Sequence, residues 1–479
     1  MGTNDGLVQV TRDGGETWTN VTASIPGIPT WGSVRHIEPS RYDPGTAYII
    51  VDAHQENNRD PWVYKTNDFG KSWKLIVNGL PKVPMGYAHI IREDPVRRGL
   101  LYLGTENALY ASFDDGDHWQ SLQLGMPHAP VYGMVIQEHF NDLVVATYGR
   151  GFFILDDLSP LQKMTTQVTA SAVHLFEPRP AYRFRDIQTN YAQSDDPTAG
   201  QNPTYGADIN YWLAAAPSST PTITILDAAG KTVRTLEGTR QQGLNRVYWD
   251  LLNEPVKPLR LRTKPLNDPE FTMDPDGTRP APGFGPSPVL MPPGRYTVRL
   301  TVDGKTQTQP LDVLKDPNMK ETDLDIRAST DLLLALKTDK NNAAEMLSTI
   351  ETVRSQIQTL APQLANAADV RASADSVERK FLAVEANLLD PRLTGHGQDG
   401  VRYPAKLVDQ LNWLAAGVSA SDYAPTSQQK EVGALLNKQA RDTRDALQRL
   451  ISGDLARLNS QLRAKGIKTI DVTMPAVVF

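Results

Sequence analysis

Three short stretches of this chain repeat one pattern, Ser/Thr-x-Asp-x-Gly-x-x-Trp. They are Thr11-Arg-Asp13-Gly-Gly15-Glu-Thr-Trp18, Thr66-Asn-Asp68-Phe-Gly70-Lys-Ser-Trp73 and Ser112-Phe-Asp114-Asp-Gly116-Asp-His-Trp119. Each follows a strand-like run and precedes another, so each reads as a hairpin turn with its own lock. The aspartate accepts hydrogen bonds from amides of its own turn, as in Asx-turns. The glycine supplies a backbone angle that a side chain forbids. The tryptophan is expected to fold its ring back over the turn and bury a large apolar area. Asp13, Gly15, Trp18, Asp68, Gly70, Trp73, Asp114, Gly116 and Trp119 are therefore assigned a structural role.

The aspartates stand at 13, 68 and 114, intervals of 55 and 46 residues. Repeats of this length containing several short strands are the signature of propeller blades. One blade is expected from strands at 33–38, 46–51, 62–66 and 72–76, and a second from 88–92, 100–103, 108–112 and 118–122. A last unit has strands at 131–138, 143–147 and 151–155 and no locking turn. Residues 2–11 match 104–112, so the chain opens inside a unit. Closing a propeller takes about four to eight blades. The expectation is the C-terminal portion of a longer propeller, completed by the same full-length chain or by a partner chain.

The pattern then changes. Residues 158–205 read as a connector, with a strand-like stretch near 173–176 and an exposed loop at 193–203. Residues 206–318 read as a small β-sandwich, with hairpin turns at 227–231 and Asp303-Gly304 and a long Pro/Gly-rich loop at 253–293. From Thr322 apolar residues recur at helical spacing: Met346, Ile350, Val353, Ile357 and Leu360 step by four and three. Helices are expected at 322–364, 368–389, 403–417 and 427–465, with Thr322 and Ser427 as N-caps and Gly466 as C-cap. Such stripes need partners, which predicts an antiparallel helical bundle over 319–468. An apolar tail, 469–479, is expected to dock back. The fold class is thus multi-domain, mainly β then α. It begins with propeller blades over 1–157.

A net charge of −6 and a pI near 5.8 argue against nucleic acid or anionic lipid as partners. No apolar run approaches the roughly 20 residues of a membrane span. With no cysteine among 479 residues there is no disulfide, thiol nucleophile or thiolate metal site. The eight histidines lack metal-ligand spacing. Gly395-His-Gly397-Gln-Asp-Gly400 follows a helical stretch rather than a strand, so it is read as an interhelix loop and not a dinucleotide site. No cofactor and no metal are expected.

In a blade the locking turn lies at one end of the strands, and the loop joining second and third strands at the other. Loops 52–60, 104–107 and 148–151, with 28–32, should therefore converge on one rim. That rim carries Trp31, His54, Arg59, Tyr148 and Arg150 as ligand-binding candidates. Glu56 and Glu106 are the candidates for a general acid.

The repeated turn resembles the Asp-box, found in bacterial sialidases, sortilin-type receptors and some xyloglucan-cleaving hydrolases. Together with Gly99-Leu-Leu-Tyr-Leu-Gly-Thr-Glu106 and the run from Asp142 to Asp157 ending Tyr-Gly-Arg-Gly-Phe-Phe-Ile-Leu-Asp-Asp, it resembles sortilin-type or BNR-repeat glycosyl-hydrolase-like proteins. Residues 206–318 are similar to the Ig-like domain of flagellar hook-cap type. The resemblance implies a secreted, periplasmic or envelope protein whose targeting signal precedes this sequence. It also implies a rim that acts on or binds glycans, as a glycoside hydrolase. The alternative it implies is a non-catalytic, sortilin-like scaffold for a peptide or protein. A sialidase sets three arginines around a carboxylate. Arg35, Arg92 and Arg150 come from successive units, but Arg35 and Arg92 fall inside first strands, which argues against that activity.

Overall fold

The computed structural model describes residues 1–185, 200, 202–256, 258–475 and 477–478; most of the 193–203 loop expected above lies outside them. The chain separates into two compact units, Met1–Ala172 and Val173–Phe479.

The first unit is a series of antiparallel meanders. Strands β1 (Gln9–Val10) and β2 (Thr19–Asn20) pair alone. Strands β3 (Ser33–Pro39), β4 (Ala47–Ala53), β5 (Asn58–Thr66) and β6 (Lys74–Leu75) form the next sheet in chain order. Strands β7 (Ala88–Glu93), β8 (Leu101–Thr105), β9 (Leu109–Ser112) and β10 (Gln120–Ser121) form another. Strands β11 (Val131–Gln137), β12 (Asp142–Thr147) and β13 (Phe152–Leu155) form a sheet of three.

Successive sheets stack through their faces, and the two-residue period of a strand shows how. On β4, Ile49 and Val51 join the core shared with β1 and β2, while Tyr48 and Ile50 join the core shared with β7 and β8. On β8, Leu101 and Leu103 face back, and Tyr102 faces forward to β11 and β12. Arg92 of β7 crosses this stack. Its Nε donates to the Met134 carbonyl of β11 at 2.9 Å, and its Nη1 reaches Glu38 at 2.7 Å and His36 at 2.6 Å on β3. Burial, then the Arg92 charge, pushes the His36 pKa down to about 4, so the ring stays neutral and accepts.

The three repeated turns share one lock. The first-position hydroxyl of Thr11, Thr66 or Ser112 accepts the glycine N–H at 2.9 Å. The aspartate accepts the N–H four residues on, at 2.8–3.0 Å, together with that residue's side chain. For Asp13 and Asp68 these bonds hold the pKa below the usual carboxylate value. At Asp114 partial burial works upward, but the bonds from His118 and Ser112 outweigh it.

The tryptophans differ from the expectation. Trp18 and Trp73 donate to the glycine carbonyls of their own turns, at 3.1 Å each, but Trp119 donates across to Ile76 of the preceding sheet at 2.8 Å. Trp119 is 5% exposed, whereas Trp18 is 47% exposed. The ring seals the gap to the sheet before it, and for Trp18 the described residues supply no such sheet. The glycine has the same second duty. A Cβ on Gly116 would sit 2.5 Å from Ile76 Cδ1 and one on Gly70 3.0 Å from Val21, while Gly15 meets only its own Trp18.

In the second unit, β14 (Val173–Leu175), β16 (Ala207–Leu213) and β19 (Gly243–Trp249) form one sheet. The other contains β15 (Ala181–Arg183), β17 (Thr222–Leu226), β18 (Thr232–Glu237), β22 (Gly294–Val302) and β23 (Lys305–Lys315). The two sheets enclose one core around Trp249, Tyr211, Ile223 and Val298. The Asp303-Gly304 turn has positive φ at both residues, the two-residue hairpin geometry that matches strand twist. The segment 253–293, expected as one loop, carries the ladder of β20 (Arg260–Leu261) and β21 (Arg279–Pro280). Its Val256, Leu261, Ala281 and Phe284 enter the helical core, because apolar groups on so long a stretch find cover there.

Helices α1 (Asp323–Leu360), α2 (Ala368–Leu388), α3 (Leu407–Ser419) and α4 (Ser427–Leu450) share that core. The expected stripe from Met346 to Leu360 is buried. Thr322 caps α1 in a capping box with Asp325. The cap of α4 is Thr426, not Ser427: Thr426 holds the extended backbone a cap needs and trades bonds with Gln429. After a π turn at Ile451–Leu455 the rod continues to Ala464. Gly466, at φ +69°, ends it: its N–H donates to the Arg463 carbonyl and that of Ile467 to the Leu462 carbonyl. The described tail residues lie along α1, where Asn342, Thr349 and Gln356, two helical turns apart, bond Val478, Thr473 and Asp471.

Arg354 ties this core together, bonding Glu385 at 2.5 Å, Glu351 at 3.1 Å and Glu378 at 3.2 Å. Burial, then repulsion from Glu351, lifts the Glu385 pKa from 4.5 to about 7 despite Arg354.

Two outcomes follow. Trp119→Ala should cost about 3–5 kcal/mol in chemical denaturation of the full chain, as removal of a buried ring does, and Trp18→Ala about 1 kcal/mol or less; equal losses would refute the seal. A raised carboxyl pKa gives stability that is complete below the unfolded value and lost as pH rises through the folded one. Glu385→Gln should therefore flatten the fall in Tm between pH 5 and 8 relative to the parent.

Candidate functional site

Strand register fixes which residues share an end of the first unit. Ser33 pairs with Asp52, Ala88 with Thr105 and Val131 with Thr147. The starts of β3, β7 and β11 and the ends of β4, β8 and β12 therefore lie together. The locking turns follow β5 and β9, at the opposite end of the strands, so their aspartates are remote from this rim.

Each first strand breaks register just inside the rim. The breaks fall between Val34 and His36, between Ala88 and Ile90, and between Val131 and Gly133. The residues at the three bulges are Arg35, His89 and Tyr132. A bulge kinks a strand and re-aims its extra side chain, and all three side chains enter one cluster.

The cluster is a line of rings crossing from sheet to sheet. His54 stacks on Tyr87 at 4.8 Å, Tyr87 meets His89 edge-on at 5.2 Å, and His89 meets Tyr132 at 4.3 Å. Tyr148 lies 5.6 Å from Tyr132, whose face also holds the Arg35 guanidinium at 5.5 Å. Two carboxylates flank the line. Asp52 accepts from His54 N at 3.0 Å and contacts its Nδ1 at 2.7 Å. Glu106 Oε2 lies 2.7 Å from His89 Nε2. A carboxylate only accepts, so Nε2 carries the proton. The buried Nδ1 is then a bare acceptor, with no partner in the structure.

Burial lowers the His89 pKa, with the Glu106 bond and charge pulling the other way. Burial, then the charge of Glu106 and a hydrogen bond to it, pushes Tyr87 up to about 12. At neutral pH the line is thus a neutral imidazole and a neutral phenol held on a carboxylate. Its outer end is open, with Tyr132 41% and Tyr148 71% exposed.

Of the residues singled out from sequence, His54, Glu106 and Tyr148 come together here. Trp31, Glu56, Arg59 and Arg150 are exposed and make none of these contacts. Glu56 ends the short turn His54–Glu56, and Arg59 lies in β5 rather than in the expected loop, because that strand starts at Asn58. Arg35 reaches the rim, whereas Arg92 is spent inside the stack. Sequence reasoning missed Asp52, Tyr87, His89 and Tyr132. The available signal was Tyr87-x-His89 at a strand start, but a bulge breaks the two-residue alternation that would have flagged it. Among the described residues no group of three or more His, Asp or Glu is placed to hold a metal ion, and no helix is long and apolar enough to cross a membrane.

No family model matches the chain, and no curated protein does. Solved structures similar in part include a GH74 enzyme of Niastella koreensis, at 11% identity and a TM-score of 0.27, covering 50% of this chain and 38% of that one. Another is the GH74 xyloglucanase from Xanthomonas campestris, at 12% identity and 0.27, covering 65% and 43%. A third is an ancestral GH74 enzyme, at 10% and 0.20, covering 66% and 56%. The chain thus spans 38–56% of the lengths of these proteins, and none of them lends its activity to this chain.

Glu106→Gln should lower the His89 pKa further, since it removes the one favourable charge bonded to the imidazolium. An NMR titration of the imidazole nitrogens reads this; an unchanged or higher value would refute the assigned coupling.

Proposed function

We propose that residues 1–157 are Asp-box blades of a β-propeller and that the rim cluster binds a glycan. The observation that carries this is the exposed end of the ring line beside Arg35, Glu106 and Asp52. A sugar offers an apolar C–H face for a ring to cover, and hydroxyls around its edge that need donors and acceptors. Tyr132 and Tyr148 supply ring faces, the guanidinium supplies donors and the carboxylates acceptors. Concave sites with a few convergent polar groups are where ligands bind. The same reading takes 206–318 as an Ig-like sandwich. It completes the ring with further blades, of the same polypeptide or of a partner chain, against Trp18 at one side and the exposed Phe152 and Ile154 of β13 at the other. A secreted or periplasmic address goes with it.

Hydrolysis needs two carboxylates across the scissile bond, and Asp52 and Glu106 are the pair on neighbouring sheets. Both already hold histidines, an observation that favours binding over turnover and keeps a peptide-binding scaffold as the second reading. The test is calorimetric binding and product analysis with xyloglucan, cello- and chito-oligosaccharides and sialyllactose. Tyr132→Ala and Tyr148→Ala should each weaken glycan binding about tenfold, roughly 1.4 kcal/mol. Asp52→Asn with Glu106→Gln should abolish any turnover while the fold is kept. No glycan bound or cleaved by the parent protein, alongside capture of peptides, would replace the glycan reading with the scaffold.

A further inference from the structure

The second unit holds a concavity of about 520 Å³, walled by one face of α1, the end of α3 and the loop 286–290. Small-molecule sites run from ~300 to 1,000 Å³. One side is apolar, formed by Leu333 and Leu336 of α1 and Leu411 and Ala415 of α3. The lining also carries cations, Lys337 and Lys340 of the same helix and Arg183 and Arg185, and no carboxylate is bonded to either lysine among the described residues.

Lys340 is 4% exposed, yet its ammonium makes no ion pair among the described residues. It meets the Ser287 hydroxyl at 2.7 Å and the Gly285 carbonyl at 3.4 Å. Lys337, one turn earlier on the same face, donates to Asn253 Oδ1 at 2.8 Å and to the Glu254 carbonyl, again with no ion pair. At the far end Arg183 and Arg185 share the single carboxylate of Asp422. Arg185 Nε is buried without a partner among the described residues.

Ser329 lines the same wall, two turns before Lys337. The residue is 2% exposed and its Oγ has no hydrogen-bond partner among the described residues. Burying an unpaired ammonium or an unsatisfied hydroxyl costs free energy that a protein rarely leaves uncompensated. Burial lowers both lysine pKa values, that of Lys337 to about 8. Arg354, by contrast, is matched by carboxylates of Glu351 and Glu385. Here the missing component is an anion.

We propose that this pocket binds a small organic carboxylate, its charged head held by Lys340 and Lys337, and its apolar body laid on Leu333, Leu336 and Leu411. The cavity is larger than a free oxyanion needs, and the apolar wall selects for a ligand with a hydrocarbon or aromatic body. This assignment is independent of the rim in the first unit.

The test uses the full chain with octanoate and benzoate as probes, against 1-octanol, benzyl alcohol and inorganic phosphate, by calorimetry and thermal shift. Octanoate or benzoate should bind and raise Tm, with the matched alcohol at least about tenfold weaker, since a charge-assisted bond is roughly twice a neutral one. Lys340→Met should weaken carboxylate binding about tenfold or more while the protein stays folded, because it removes an unpaired buried charge. Ala416→Phe, at the exposed mouth of the pocket, should block binding without touching the core. Failure of both carboxylates to bind, phosphate binding as tightly as octanoate, or full affinity retained in both variants would overturn the proposal.

Discussion

The first unit depends on the distance between one sheet and the next. Strands β4 and β8 send alternate side chains into different cores, so these two sheets are buried on both faces. Such a stack closes only if the turns at its edge let the sheets approach. Gly116 lets Ile76 lie where a Cβ would otherwise stand, and Trp119 fills the remaining gap. The aspartate lock keeps that turn rigid. The repeat is therefore a spacer as much as a turn, and its glycine answers to the neighbouring sheet as well as to its own φ.

The rim inherits this spacing. His54 meets Tyr87, and His89 meets Tyr132, across the gaps between sheets. The bulges at Arg35, His89 and Tyr132 supply the other half. They turn equivalent positions of three strands toward one another, which an unbroken ladder would leave pointing to alternate faces. Packing at the locking-turn end thus sets geometry at the rim end of the same strands.

Arginine is the internal cross-link throughout. Arg92 joins β3, β7 and β11, Arg183 joins β15 to Asp422, and Arg354 joins α1 to α2. In each case several bonds satisfy the fixed fork of the guanidinium. Lys340 and Lys337 break this habit. Each ends on neutral oxygens inside a cavity with an apolar wall.

Much of the architecture was legible before any coordinates. Strands of the first unit, the Asp303-Gly304 hairpin and the stripe from Met346 to Leu360 all follow from local chemistry: period, turn angle and amphipathic spacing. The cap of α4 was misplaced by one residue because Thr426 and Ser427 carry the same hydroxyl, and only backbone angle separates them. The segment 253–293 looked like a loop because its prolines hid four residues bound for the helical core. The site was half legible. His54, Glu106 and Tyr148 sit in loops that the repeat aligns, whereas His89 and Tyr132 sit at bulges that no periodicity announces. By itself the sequence determined which segments turn, extend or coil, since those choices depend on near neighbours. Only the tertiary structure decided that Trp119 is buried while Trp18 is not, that the rings form one line, and that Lys340 ends on Ser287 and Gly285, because each depends on what residues dozens of positions away bring within a few ångströms.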